Sequence, residues 1–257
     1  MTANVITPNI DFAVKPKPVV VGGRTVDGYQ AAVRVDTGET LAINGSRYKI
    51  VDHRKNIELV AKALQRVSPD FQVKHTVENA RIYSRFTLTQ EGLLPNDRIE
   101  GATLALDLQN SYDGSLMFGF AFSVWRQVCS NGMFGFRTEK RARRLHTAGI
   151  NVNSLIKGIT PAIIAYKNDY TKLYSTLKDK TVIPTEKLEE KFTQKLISQA
   201  RENYAREYAI TKTHNAWTQL NSFTRSLSHD DKISEGHRQE LSRQVTALFL
   251  NYFQIAG

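Results

Sequence analysis

The spacing of apolar residues changes period once along this chain, and that change limits the fold more than any single motif. Between Thr103 and Val128 apolar residues alternate on either side of Asp113-Gly114, a dipeptide that favours two-residue hairpin turns. From Asn153 onward they recur at three- and four-residue spacing, the repeat of a helix with one buried stripe. The pattern predicts an α+β fold: antiparallel β-hairpins with one packed helix in the N-terminal half, then a mostly helical C-terminal half. The expected organisation is a flexible arm over residues 1–25, a β-rich core domain over 26–150, and a helical region over 151–257 that packs on or extends the core.

Local signals fill in this outline. Pro8, Pro16, Pro18, Gly22 and Gly23 leave the first 25 residues with little periodicity, which predicts a segment that is loose or laid along a neighbour. Tyr29–Val35 and Thr40–Asn44 are β-prone and flank Asp36-Thr37-Gly38-Glu39, a hairpin loop. Asp52 is placed to cap a helix carrying Ile57, Val60, Ala61, Leu64 and Val67, stopped by Ser68-Pro69. Strands follow at Phe71–Val77 and Arg81–Thr89, with Ile82, Phe86 and Leu88 on one face. Further on, helices are expected to open near Ile156, to run from Pro184 to Tyr208, from His214 to Leu227, and from Ile233 to Phe253.

With 41% hydrophobic residues among 257, the chain can bury a sizeable core. Its single cysteine, Cys129, excludes an intramolecular disulfide, and no apolar run has the length of a signal segment or a bilayer span. A soluble protein of a reducing cytoplasm is expected. The net charge of +10 attracts polyanions without specifying which.

Two features point to a surface. After Asp113-Gly114 the strand alternates Phe118, Phe120 and Phe122 with Gly119, Ala121 and Ser123. A two-residue turn would set Leu104, Leu106 and Leu108 opposite the small residues, leaving the phenylalanines beside Ala105, Asp107 and Gln109. The row is then a platform on which bases stack; a helix lying over it would make it core instead, and a one-residue slip would exchange the faces. Just downstream, Arg137, Lys140, Arg141, Arg143 and Arg144 stand against Glu139 alone, with Arg126 a further cation. Such a run either holds a phosphate backbone or is a solvated loop.

Catalytic and cofactor signals are weak. Cys129 and His146 are the residue types of a nucleophile and its base, but nothing brings them together, and a lone cysteine at a strand end is ordinarily a small buried residue. The six histidines show no paired metal-ligand spacing, and the phosphate-loop and dinucleotide fingerprints are missing, so no metal or cofactor is expected.

Four passages carry a family resemblance: Asp36-Thr37-Gly38-Glu39 with Arg47-Tyr48 after it, Asn110-Ser111-Tyr112-Asp113-Gly114-Ser115, Val124 to Gly132, and Arg144-Leu145-His146-Thr147-Ala148-Gly149. In this order they resemble the phage- and plasmid-encoded family called domain of unknown function 932. There a D-T-G-E hairpin, an N-S-H-D-G-S turn, an R-V-V-C-x-N strand end and an R-H-T-G segment follow one another. His214 to Asn221 is similar to a T-A-W-G-L-Y-N helix of longer members. Tyr112 stands where the family has His, and Ala148 is inserted between Thr147 and Gly149. The resemblance implies a mobile-element context, hence a host-cell cytoplasm, and no settled activity. The element order also resembles the core of Rad52-related single-strand annealing proteins, which form rings and bind DNA in a basic groove.

The expectation is a phage or plasmid DNA-metabolism protein that binds single-stranded DNA, of annealing type and homo-oligomeric. The alternative is a non-enzymatic protein that blocks a host defence or regulatory factor through its helical half.

Overall fold

The computed structural model describes Ile10 and residues 12–95, 101–126, 131–134, 141–230, 232–233 and 235–255. Strands β1 (Val14–Val21), β2 (Arg24–Arg34) and β3 (Thr40–Gly45) form an antiparallel sheet in that order. A second sheet has the order β4 (Phe71–Glu78), β5 (Arg81–Leu88), β6 (Ala102–Ser111), β7 (Phe118–Arg126) and β8 (Asn131–Phe134), and β9 (Arg141–Arg144) also pairs with β7. The helices are α1 (His53–Leu64), α2 (Val152–Lys157), α3 (Ile159–Leu177), α4 (Thr185–Glu189), α5 (Gln194–Thr211), α6 (Ala216–Ser228) and α7 (Glu235–Tyr252). The fold is α+β, with antiparallel sheets in the N-terminal half and helices dominating the C-terminal half. The chain divides into two compact units, residues 1–90, 106–121 and 141–162 in one, residues 91–105, 122–140 and 163–257 in the other.

In the first unit, Val14–Val21 is a strand and not a loose arm. Its two prolines are tolerated because β1 is an edge strand, where a missing N–H breaks no second ladder. Gly22 and Gly23 take φ of 57° and 78°, the paired positive values of a type I′ hairpin turn. Asp52 caps α1 by accepting the Lys55 N–H at 3.3 Å, and Ile57, Val60 and Leu64 are buried. β4 and β5 pair without interruption from Phe71↔Leu88 to Glu78↔Arg81, so Ile82, Ser84, Phe86 and Leu88 all turn inward.

The second unit is a helical assembly around Trp217, 1% exposed, whose ring meets those of Tyr170 and Tyr174 edge-on at 5.7 and 5.1 Å. The helix expected from Pro184 to Tyr208 is two helices. Phe192 N–H closes on the Leu188 carbonyl, and Thr193 starts α5 by accepting the Leu196 N–H. A local N-cap outcompetes continuation of the apolar stripe there. Lys212, at φ 56°, ends α5, and Asn215 caps α6 while donating to the Lys178 carbonyl at 2.7 Å. Between α5 and α6 the side chain of Glu207, fully buried, meets Arg225 at 3.2 Å.

Candidate nucleic-acid interface

The aromatic row is core. Phe118, Phe120 and Phe122 are 0%, 3% and 0% exposed and cannot stack bases. The connection from β6 to β7 runs through Tyr112 to Met117, held by the Ser111 hydroxyl bonding to both backbone groups of Leu116. It is longer than the two-residue turn expected there. Leu104, Leu106 and Leu108 are buried as well, and a helix does cover part of the row: the Phe122 ring lies 5.7 Å from Tyr166 of α3.

The basic run is partly a strand. Arg137, Lys140 and Cys129 lie outside the described residues, and Arg126 and Arg141 are described by their backbone alone. β9 pairs antiparallel with β7, Phe118 opposing Arg144 and Ala121 opposing Arg141. Arg144 is exposed and donates to the Arg143 carbonyl at 2.9 Å; Arg143 is half-buried.

What the run is joined to was not visible in sequence. Just past β9, Thr147 forms an antiparallel bridge with Tyr48, and the Lys49 N–H donates to the His146 carbonyl at 2.9 Å. His146 returns the bond through Nδ1 to the Lys49 carbonyl at 3.1 Å, and its ring stacks on Tyr48 at 4.8 Å and 9°. Tyr48 also donates its hydroxyl to the Ser111 carbonyl at 2.8 Å, and its ring lies in contact range of Gly114, whose φ is 76°. Asn44 donates to the Tyr112 carbonyl at 2.8 Å. Passages that looked like separate family motifs therefore knot around one tyrosine. Burial pushes the Tyr48 phenol up to about 12 and the His146 imidazole below its usual range. Both are neutral at pH 7, and Tyr112, 1% exposed, is likewise structural.

The knot sets Arg47 and Lys49, both exposed, beside the segment that carries Arg143 and Arg144. From Lys49 a cleft of about 560 Å³ opens between the start of α1 and residues 148–153, lined by Lys49 and Lys55 against Asp52, and by Asn56, Asn151 and Asn153. Arg47, Lys49 and Lys55 have no ion-pair partner among the described residues. By sequence the first unit carries seventeen lysines and arginines against ten acidic residues, so most of the chain's surplus charge belongs to it. Single cations scattered through residues 47–55 leave no run to notice, which is why sequence reasoning passed over them.

Elsewhere in this unit Ser84 Oγ lies 2.8 Å from His53 Nε2 and 2.7 Å from His75 Nδ1. These are the elements of a nucleophile with its base, but Ser84 and His53 are each 1% exposed, so no substrate reaches them. Among the described residues no group of three potential metal ligands occurs, and no helix is long and apolar enough to cross a membrane.

Fold and site together define an α+β protein with a knotted motif core and a basic open cleft. The chain belongs to the family described as a domain of unknown function, DUF932, whose model matches residues 40–248. No curated protein and no solved structure matches it, and the likeness to Rad52-type proteins gains no support from these comparisons.

Proposed function

We propose that this protein binds single-stranded DNA in the service of phage or plasmid DNA metabolism, along a track formed by Arg143, Arg144, Arg47, Lys49 and Lys55. The observation that carries this reading is the Tyr48–Thr147 bridge, which draws two basic segments from distant parts of the sequence into one surface. Arg47, Lys49 and Lys55, exposed and without an ion-pair partner among the described residues, can neutralise phosphates, and the counterions released supply the affinity. The cleft beyond Lys49 offers asparagine side chains, which donate and accept hydrogen bonds and so suit phosphate, sugar or base edges alike. An annealing role follows from such a track if two bound strands are presented together, and it calls for a homo-oligomer.

The test is fluorescence anisotropy of a labelled single-stranded oligonucleotide at low and physiological salt. Wild-type binding is expected to weaken steeply with salt. The double variant Lys49→Glu, Arg144→Glu is expected to lose about tenfold or more in affinity and to show a shallower salt dependence, since it removes two phosphate contacts. Unchanged affinity in a folded double variant would overturn the reading.

A further inference from the structure

We infer that the open face of the β1–β2–β3 sheet is a base-stacking platform, with Tyr29 as its aromatic surface and Lys15 and Lys17 as its phosphate contacts. Residues opposed across a ladder share a face. Lys17 opposes Ala31, which in turn opposes Ile43, and Lys15 opposes Val33; Ala31 and Val33 are themselves buried, so the exposed side chains of this face are Lys15, Lys17, Tyr29 and Ile43. Tyr29, two residues before Ala31, belongs to the same face and opposes Gly45. The other face is directed inward, where Asn44 reaches the Tyr112 carbonyl and Gln30 reaches the Tyr48 carbonyl at 2.5 Å.

The outward face has the composition of a single-strand site. Tyr29 is 56% exposed and Ile43 60% exposed, and Lys15 and Lys17 are exposed alongside them. Gly45 opposite Tyr29 has no side chain, so one edge of the ring is open. Tyr29 lies diagonally across the ladder from Ile43, and the two offer an exposed apolar surface beside the lysines. Unpaired bases present flat apolar faces to the ring while their phosphates reach the two lysines. A second copy of this chain is disfavoured by charge, because a contact of this face with its own copy would bring Lys15 and Lys17 of both copies into one interface. The acidic residues of the β2–β3 hairpin, Asp36 and Glu39, are held by Arg34 at 2.8 and 3.6 Å.

This inference rests on the proposed nucleic-acid track and adds to it. β3 ends at Gly45, the partner of Tyr29, and the chain then passes through Ser46 to Arg47, so platform and track are continuous in sequence. The substrate it names is a strand with unstacked bases, because paired bases keep their faces inside the duplex.

The experiment compares affinities for a single-stranded oligonucleotide and for the duplex of the same sequence in wild type, Tyr29→Ala, Tyr29→Phe and the Lys49→Glu, Arg144→Glu variant. Tyr29→Ala is expected to weaken single-strand binding about fivefold or more, with the salt dependence unchanged, while duplex affinity stays the same and Tyr29→Phe restores wild-type behaviour. Wild-type single-strand affinity in a folded Tyr29→Ala protein would overturn the platform and leave the track standing. If wild type binds no oligonucleotide, both fail. If Tyr29→Ala instead breaks a self-associated species in sedimentation, the face belongs to a second copy and the platform is again overturned.

Discussion

Replacing Arg225 by Met is expected to destabilise the helical unit by about 3–5 kcal/mol, a drop in thermal midpoint of roughly 10 °C. The Glu207 side chain is 0% exposed and Arg225 only 14%, so their 3.2 Å contact lies out of solvent. Removing the guanidinium withdraws a charge partner from a carboxylate that lies out of solvent. The two residues sit on α5 and α6, a helical hairpin that the Asn203–Ser226 and Thr211–Thr218 hydrogen bonds also tie, so the penalty falls on one contact among several between these helices. Thermal melts followed by circular dichroism separate the cost of the lone charge from the worth of the pair. Arg225→Met should melt well below wild type, and the double variant Glu207→Leu, Arg225→Met should recover most of the loss, because an apolar pair of similar volume removes the buried charge altogether. A single variant that melts with wild type would mean that the pair carries no such burden.

Periodicity and caps were legible in the sequence wherever one element could be judged by itself. Asp52 announced α1, and the inward row of Ile82, Phe86 and Leu88 announced β5, because both signals are local. β1 was not legible. Lys15-Pro16-Lys17-Pro18 carries no apolar alternation, and its strand character comes from pairing with Ala31 and Ala32, whose burial depends on the rest of the sheet. The same hidden pairing concealed Tyr29 as the aromatic of an open face, while Phe118, Phe120 and Phe122 drew attention by their repetition and proved to be core. Repetition of large apolar residues on a strand reports burial more often than exposure. The basic run was visible as composition, but its connection to Arg47 and Lys49 was not. That connection is made by one backbone bond and one ring-nitrogen bond between Lys49 and His146, 97 residues apart, and no local pattern encodes such a tie.

Lowering the pH from 7.5 to 4.5 is expected to cost the folded state on the order of 3 kcal/mol through His53 alone. Burial, with a smaller contribution from His75, pushes the His53 imidazole down to about 3. The unfolded chain therefore takes up this proton as the pH falls through about 6.5, whereas the folded chain resists it until far lower. The contribution is complete above pH 6.5 and is lost progressively as the pH falls toward 3. His75 and His146, also pushed down by burial, add to the loss in the same direction. Carboxylates held below their usual range, such as Asp113, matter only at lower pH, so the interval from 6.5 to 4.5 belongs to the histidines. The geometry explains the resistance. The Ser84 hydroxyl has one proton to donate, so it can donate to only one of the two imidazoles it touches and must accept from the other. His53 Nδ1 and His75 Nε2 are buried with no hydrogen-bond partner among the described residues, so a further proton on His53 would be a buried charge. Urea midpoints at the two pH values measure the effect. His53→Leu should lose the His53 share of the difference, because Ser84 keeps His75 as its partner, and an unaltered pH dependence in that variant would show that the buried imidazole is not its source.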